Sequence, residues 1–213
     1  LAHIGVLSVL EKAGVPIDCV AGTSMGAIIG AAYCAGLSVD DLRDIAARTG
    51  WWHVSRPVFS VGGFVTFKHL ERWFEDNIGQ FDLRDLAIPF AAVASDLNTG
   101  ERVVLSEGRA CTAIRASCSV PGFVPPVESE GRILVDGGIS VTIPADVARL
   151  LGADYVIGVD IFVPALRPRL GPFSQWIAAI ETLVRHAGQG SNECSCLIVP
   201  RMEGRSYFNF SEY

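Results

Sequence analysis

Apolar positions recur at helical spacing from the first residue. Leu1, Ile4, Leu7, Leu10 and Ala13 form a stripe, with Val6 and Val9 beside it. Gly14 and Pro16 end that helix, as a C-terminal glycine and a following proline do. Ile17 to Ala21 is short, apolar and partly β-branched, which predicts a buried strand. Gly22 to Gly26 breaks it, and a second helix follows over Ala27 to Ala35, ended by Gly36. Ser38 caps a third helix running to Arg48, with Asp40 and Asp41 in its first turn where the helix dipole favours them.

The stretch 51–65 is aromatic and irregular, after which Thr66 is placed to cap a helix reaching Ile78. Pro89 to Ser95 reads as a strand that turns at Asn98-Thr99-Gly100 and returns over Arg102 to Leu105 as a hairpin. A short helix over Ala110 to Cys118 leads into a proline-rich loop. A strand over Arg132 to Val135 ends at Asp136-Gly137-Gly138. Pro144 suits the first position of a helix over Ala145 to Leu151. Tyr155 to Phe162 predicts a buried strand, 174–187 a helix and Leu197 to Val199 a last strand. Helices alternate with apolar strands and no repeat is visible. The expected class is α/β: a three-layer α/β/α domain around a mainly parallel central sheet.

Residues 19–39 carry no charged side chain and are numerous enough to span a bilayer. Four glycines, two serines and a threonine dilute them, so a strand, a turn and a helix are expected there instead. Across the 213 residues, half are apolar and 19% charged, which excludes a disordered chain or a coiled coil. The net charge of −6 excludes the basic footprint of a nucleic-acid-binding domain. The six cysteines are too sparse for a disulfide framework and lack the spacing of a zinc site. They read as small buried groups, with a reducing cytoplasm as the simplest compartment.

Chemistry concentrates at two turns. Gly22-Thr23-Ser24-Met25-Gly26 fits Gly-x-Ser-x-Gly between a strand and a helix. A sharp turn there lifts the Ser24 hydroxyl out of the sheet. The small residues Gly22 and Gly26 let the backbone bend, and the helix N-terminus favours a developing oxyanion. The alternative is a plain glycine turn. Asp136-Gly137-Gly138 offers a carboxylate at a strand end with close backbone approach, or simply a turn aspartate bonded to its own backbone. Asp96 and Asp160 hold similar positions. Of His3, His53, His69 and His186, only His186 follows Asp136 in the order a Ser-His-Asp hydrolase needs. Its place near a helix end beside Arg185 suits a surface role.

Four separated motifs together resemble one family: Leu1-Ala2-His3-Ile4-Gly5-Val6-Leu7, Gly22 to Ala27, Ile114-Arg115-Ala116-Ser117-Cys118-Ser119-Val120-Pro121-Gly122, and Val135 to Gly138. In this order they look like the patatin-like phospholipases, most of all the small bacterial members. The resemblance implies a lipid acyl hydrolase that uses a Ser–Asp dyad without histidine, metal or cofactor. Ser24 matches the nucleophile and Asp136 the acid, with Met25, Gly22, Gly26, Gly137 and Gly138 as oxyanion and support positions. It further implies a lipid or other acyl-ester substrate and allows peripheral contact with a membrane. It leaves the oligomeric state open.

Residues 1–213 are expected to form a single domain of this type, with the family's first strand and glycine-rich oxyanion loop lying before Leu1. Thr142 stands where the family often has asparagine. Trp51, Trp52, Phe59, Phe64 and Phe67 would either form an apolar lip for lipid chains or cover the core. Arg115 would pair with an acid or meet a phosphate headgroup. A Ser-His-Asp esterase of another fold and a non-catalytic scaffold of the same fold are the rival readings.

Overall fold

The computed structural model describes residues 2–60, 63–161, 175, 178–180, 182, 184–185 and 189–201. Helix α1 (Ala2–Lys12) precedes strand β1 (Val20–Thr23), helix α2 (Met25–Cys34), α3 (Val39–Arg48) and a single turn α4 (Trp51–Val54). A small hairpin follows, β2 (Arg56–Ser60) with β3 (Gly63–Thr66), and then α5 (Lys68–Asn77). Next come β4 (Phe90–Asp96), β5 (Arg102–Leu105), α6 (Ala110–Ser117), β6 (Val127–Ser129), β7 (Arg132–Asp136), α7 (Ala145–Leu150), β8 (Ile157–Val159) and β9 (Cys196–Ile198).

The centre is β4. All seven of its residues are buried, and its first five, Phe90 to Ala94, are apolar without alternation. Phe90 and Ala92 face a cluster built from α2, α5 and α6, in which Phe74, Ile114, Ala27 and Ala31 are fully enclosed. Ala91 and Val93 face the other way, against Val147 of α7 and Val141 of the loop before it. Helices thus cover both faces, as a three-layer α/β/α arrangement requires. On the outer side of α2, Ile29 and Ala32 meet Ile4 of α1 and Val39 and Leu42 of α3.

The sheet is mixed, not mainly parallel. β1 runs parallel to β4, but β5, β7 and β6 are joined by antiparallel pairings. Tight turns account for two of these pairings: one at Asn98–Gly100, where Gly100 has φ +74°, joins β4 to β5, and one at Glu130-Gly131, where both residues have positive φ, joins β6 to β7. A separate parallel pair joins β8 and β9. The segment 19–39 folds into β1, a turn, α2 and the entry to α3, and among the described residues no helix is long and apolar enough to cross a membrane.

Several boundaries differ from expectation. The first strand is Val20–Thr23 because its limits follow its register against Phe90–Val93 of β4, not the apolar run alone. Thr66 belongs to β3, so Phe67 takes the cap position of α5. Pro144 sits at the cap of α7, one place before the expected first turn. The helix expected over 174–187 is helical at each described position within it, and His186 lies outside the described residues. The expected lip side chains of Trp51, Trp52, Phe59 and Phe64 also lie outside them, while Phe67 packs against the main core.

Candidate active site

A strand has two hydrogen-bonding edges, and β4 uses one for β5 over Ala92–Ser95. The other edge is shared. Its first half carries β1, ending with Thr23 opposite Val93, and its second half carries β7, with Asp136 opposite Ala94. β1 runs parallel to β4 and β7 antiparallel, so the two strands meet C-terminus to C-terminus. Ser24 follows Thr23 directly. Residues far apart in the chain are thereby brought onto the middle of one buried strand.

At that junction the Ser24 side chain lies close enough to the Asp136 carboxylate to lower its pKa. Ser24 occupies the turn between β1 and α2 with φ 52° and ψ −117°, a conformation that a non-glycine residue adopts only where its surroundings enforce it. Two close approaches explain the enforcement. A Cβ on Gly22 would fall 2.4 Å from the Gly26 carbonyl oxygen, and one on Gly137 would fall 2.3 Å from the Val93 carbonyl oxygen. Neither turn can be built with a larger residue. Gly26 is different, since a Cβ there meets nothing nearer than His3 Nε2 at 3.8 Å. Gly138 donates its amide to Asp136 Oδ1 at 2.8 Å, and a Cβ on it would stand 3.1 Å from that same oxygen.

Asp136 is 7% exposed, and burial raises its pKa from 3.8 to about 6, with the nearby Ser24 side chain and the hydrogen bond from Gly138 opposing that rise. The carboxylate is therefore ionised at neutral pH, yet more basic than an exposed one. Ser24 and Met25 are partly exposed at the start of α2, where the helix dipole presents its positive end. The loop after Asp136 is secured by the Ser95 hydroxyl, which donates to Ser140 Oγ at 2.7 Å, and by Thr23 Oγ1, which donates to the Val141 carbonyl at 3.2 Å.

The end of α6 closes the site from the third side. Ser24 donates its backbone amide to Ser117 Oγ at 2.9 Å, and the Ser117 hydroxyl donates to the Val93 carbonyl at 2.6 Å. Asp136 donates its amide to the Ser119 carbonyl at 2.9 Å. Between them lies Cys118, near enough to Ser24 and Asp136 to sense both; burial raises its thiol pKa well above the ordinary value, with the Asp136 charge adding to the rise. Reading these residues only as small core groups missed this placement. The polar Ser117 and Ser119 flanking a cysteine at a helix end, just before Pro121-Gly122, were the signal available.

Other candidates have structural partners. Asp96 accepts the Asn98 amide in the hairpin turn at 2.9 Å. Arg115 forms an ion pair with Glu71. His53 Nδ1 accepts the Gly50 amide at 2.8 Å. The Nδ1 atoms of His3 and His69 are buried without a hydrogen-bond partner among the described residues. Among the described residues no cluster of histidine, cysteine or acidic side chains could hold a metal ion.

The family model described as patatin-like phospholipase matches residues 1–149. Patatin-like phospholipase domain-containing protein 6 of Homo sapiens is 34% identical over 172 residues, covering 75% of this chain and 12% of its own length. An uncharacterized NTE family protein of Mycobacterium tuberculosis is 35% identical over 163 residues, covering 75% of this chain and 45% of its own. Neuropathy target esterase sws of Drosophila melanogaster is 29% identical over 168 residues, with 75% and 12% covered. The chain thus spans less than half the length of each of these relatives. With the match running through both turns and the end of α6, the chain belongs to the patatin-like phospholipase family.

Proposed function

We propose that this chain is a serine acyl hydrolase acting on lipid esters through Ser24 and Asp136. Ser24 Oγ attacks the ester carbonyl carbon while its proton passes to the Asp136 carboxylate. The bond to the alcohol then breaks, and the alcohol leaves with that proton. Water attacks the resulting acyl-Ser24, gives its proton to Asp136, and the free acid departs as Ser24 regains a hydrogen. Asp136 is a weak base for a hydroxyl even near pKa 6, so orientation and oxyanion stabilisation carry most of the acceleration. The Ser24 amide is committed to Ser117, which leaves the Met25 amide at the start of α2 as the turn's donor to the oxyanion.

The observation that carries this reading is the meeting of β1 and β7 on one edge of β4, which brings Ser24 beside the buried Asp136 carboxylate. Family membership, and relatives named as a phospholipase-domain protein and an esterase, support lipid esters as the substrate class. Labelling with a fluorophosphonate tests it: Ser24 Oγ displaces fluoride from phosphorus and leaves a stable adduct. One adduct per chain on the peptide containing Ser24, lost in Ser24→Ala, is the expected result. An unlabelled protein, or an adduct elsewhere, would refute the assignment.

A further inference from the structure

We propose that Ser117 is a positioning residue for the nucleophile: its hydroxyl holds the backbone of Ser24 in the conformation that aims Oγ at Asp136. This rests on the dyad reading above. The Ser117 side chain is fully buried and uses both its hydrogen-bonding capacities at the junction. It accepts the Ser24 amide at 2.9 Å and donates to the Val93 carbonyl at 2.6 Å. Val93 is the register partner of Thr23, so the hydroxyl ties the first residue beyond β1 back to the strand that β1 has just left.

The tie matters because Ser24 has φ 52°, outside the regions open to most side chains. An amide at a turn can swing when its acceptor is removed, and a swing here carries Oγ with it. The anchor itself is stiff. Cys118 donates its amide to the Ile114 carbonyl at 3.0 Å, Ser119 donates its amide to Ala116, and Ser119 Oγ donates to the Arg115 carbonyl at 2.8 Å. The same turn accepts the Asp136 amide through Ser119. One three-residue segment therefore grips the backbone of both nucleophile and acid, and fixes the separation between them. Ser117 never touches the reacting atoms; it acts through Ser24.

The test separates the rate of the chemical step from binding and from stability. Fluorophosphonate inactivation is followed over reagent concentration in wild-type protein, Ser117→Ala and Ser117→Cys, with thermal unfolding of each, at a temperature where all are folded. Misplacement of a reacting group by an ångström costs up to about 100-fold. Ser117→Ala should lower the maximal inactivation rate about 10- to 100-fold, with the half-saturating concentration within about twofold. Ser117→Cys keeps a side-chain atom at this place but offers a larger sulfur, a weak acceptor, and should fall between the two. It also serves as the deciding variant if Ser117→Ala does not fold. A variant that unfolds at lower temperature yet reacts at the wild-type maximal rate would overturn the proposal and reduce Ser117 to a structural hydrogen bond. A wild-type protein inert to the reagent would instead overturn the dyad reading itself.

Discussion

Replacing Asp136 by asparagine should change how stability depends on pH, by an amount the burial of the carboxylate determines. Its pKa is 3.8 in an exposed chain and about 6 in the folded one. Between those values the folded protein holds a proton that the unfolded chain has released, so folding is favoured at the acid end and the advantage is lost as pH rises. Each tenfold difference in proton affinity corresponds to about 1.4 kcal/mol. The wild type should therefore lose about 2 to 3 kcal/mol relative to Asp136→Asn between pH 4 and pH 7.5, with the full cost of the buried charge present above about pH 6. Any constant difference between the variants, such as an amide hydrogen left unpaired in asparagine, cancels in that comparison. Urea unfolding of both proteins at half-unit pH steps measures it. Curves that run parallel across the range would show that Asp136 is not a buried, raised carboxylate, and the reasoning about its basicity would fail.

His3 should give the opposite slope. Burial lowers its pKa from 6.5 to about 4, so stability is lost on acidification through that window. His3→Phe should spare about 3 kcal/mol of the loss between pH 7 and pH 4, read in the same unfolding assay; an unchanged slope would contradict the burial of a neutral ring. Gly22→Ala and Gly137→Ala drive a Cβ into backbone oxygens at 2.4 and 2.3 Å, and each should cost on the order of 3 kcal/mol. Gly26→Ala meets only ordinary contact and should be neutral or stabilising by up to about 1 kcal/mol in denaturant melts. Ser38→Ala removes a capping box closed by Asp41 and should cost about 1 kcal/mol by the same measure.

Much of this was legible along the chain because local chemistry dictated it. Ser38 and Asp41 mark the start of α3 without any tertiary information, and the glycines around Ser24 announce a sharp turn. The covering of β4 on both faces is visible in the apolar run Phe90 to Ala94. The direction of its neighbours is not, because a strand buried on both faces has the same composition in either orientation. β6 has only three residues, too few for a period, and emerges through its pairing with β7. Ser24 and Asp136 could be picked individually from their glycines and from resemblance. That they face one another follows from the register of β1 and β7 on β4. The grip of Ser117 on the Ser24 backbone depends on where α6 ends against that register.

The most direct test of the dyad is a single-turnover reaction with a medium-chain 4-nitrophenyl ester, followed from pH 4.5 to pH 8 with the acyl adduct trapped and mapped. One equivalent of nitrophenol should be released per chain, with the acyl group on Ser24. The rate should rise to a plateau with an apparent pKa of about 6, as Asp136 ionises. Asp136→Asn should lose the burst while remaining folded. A burst that survives in Asp136→Asn at the wild-type rate, or an acyl group found on any residue other than Ser24, would contradict the account.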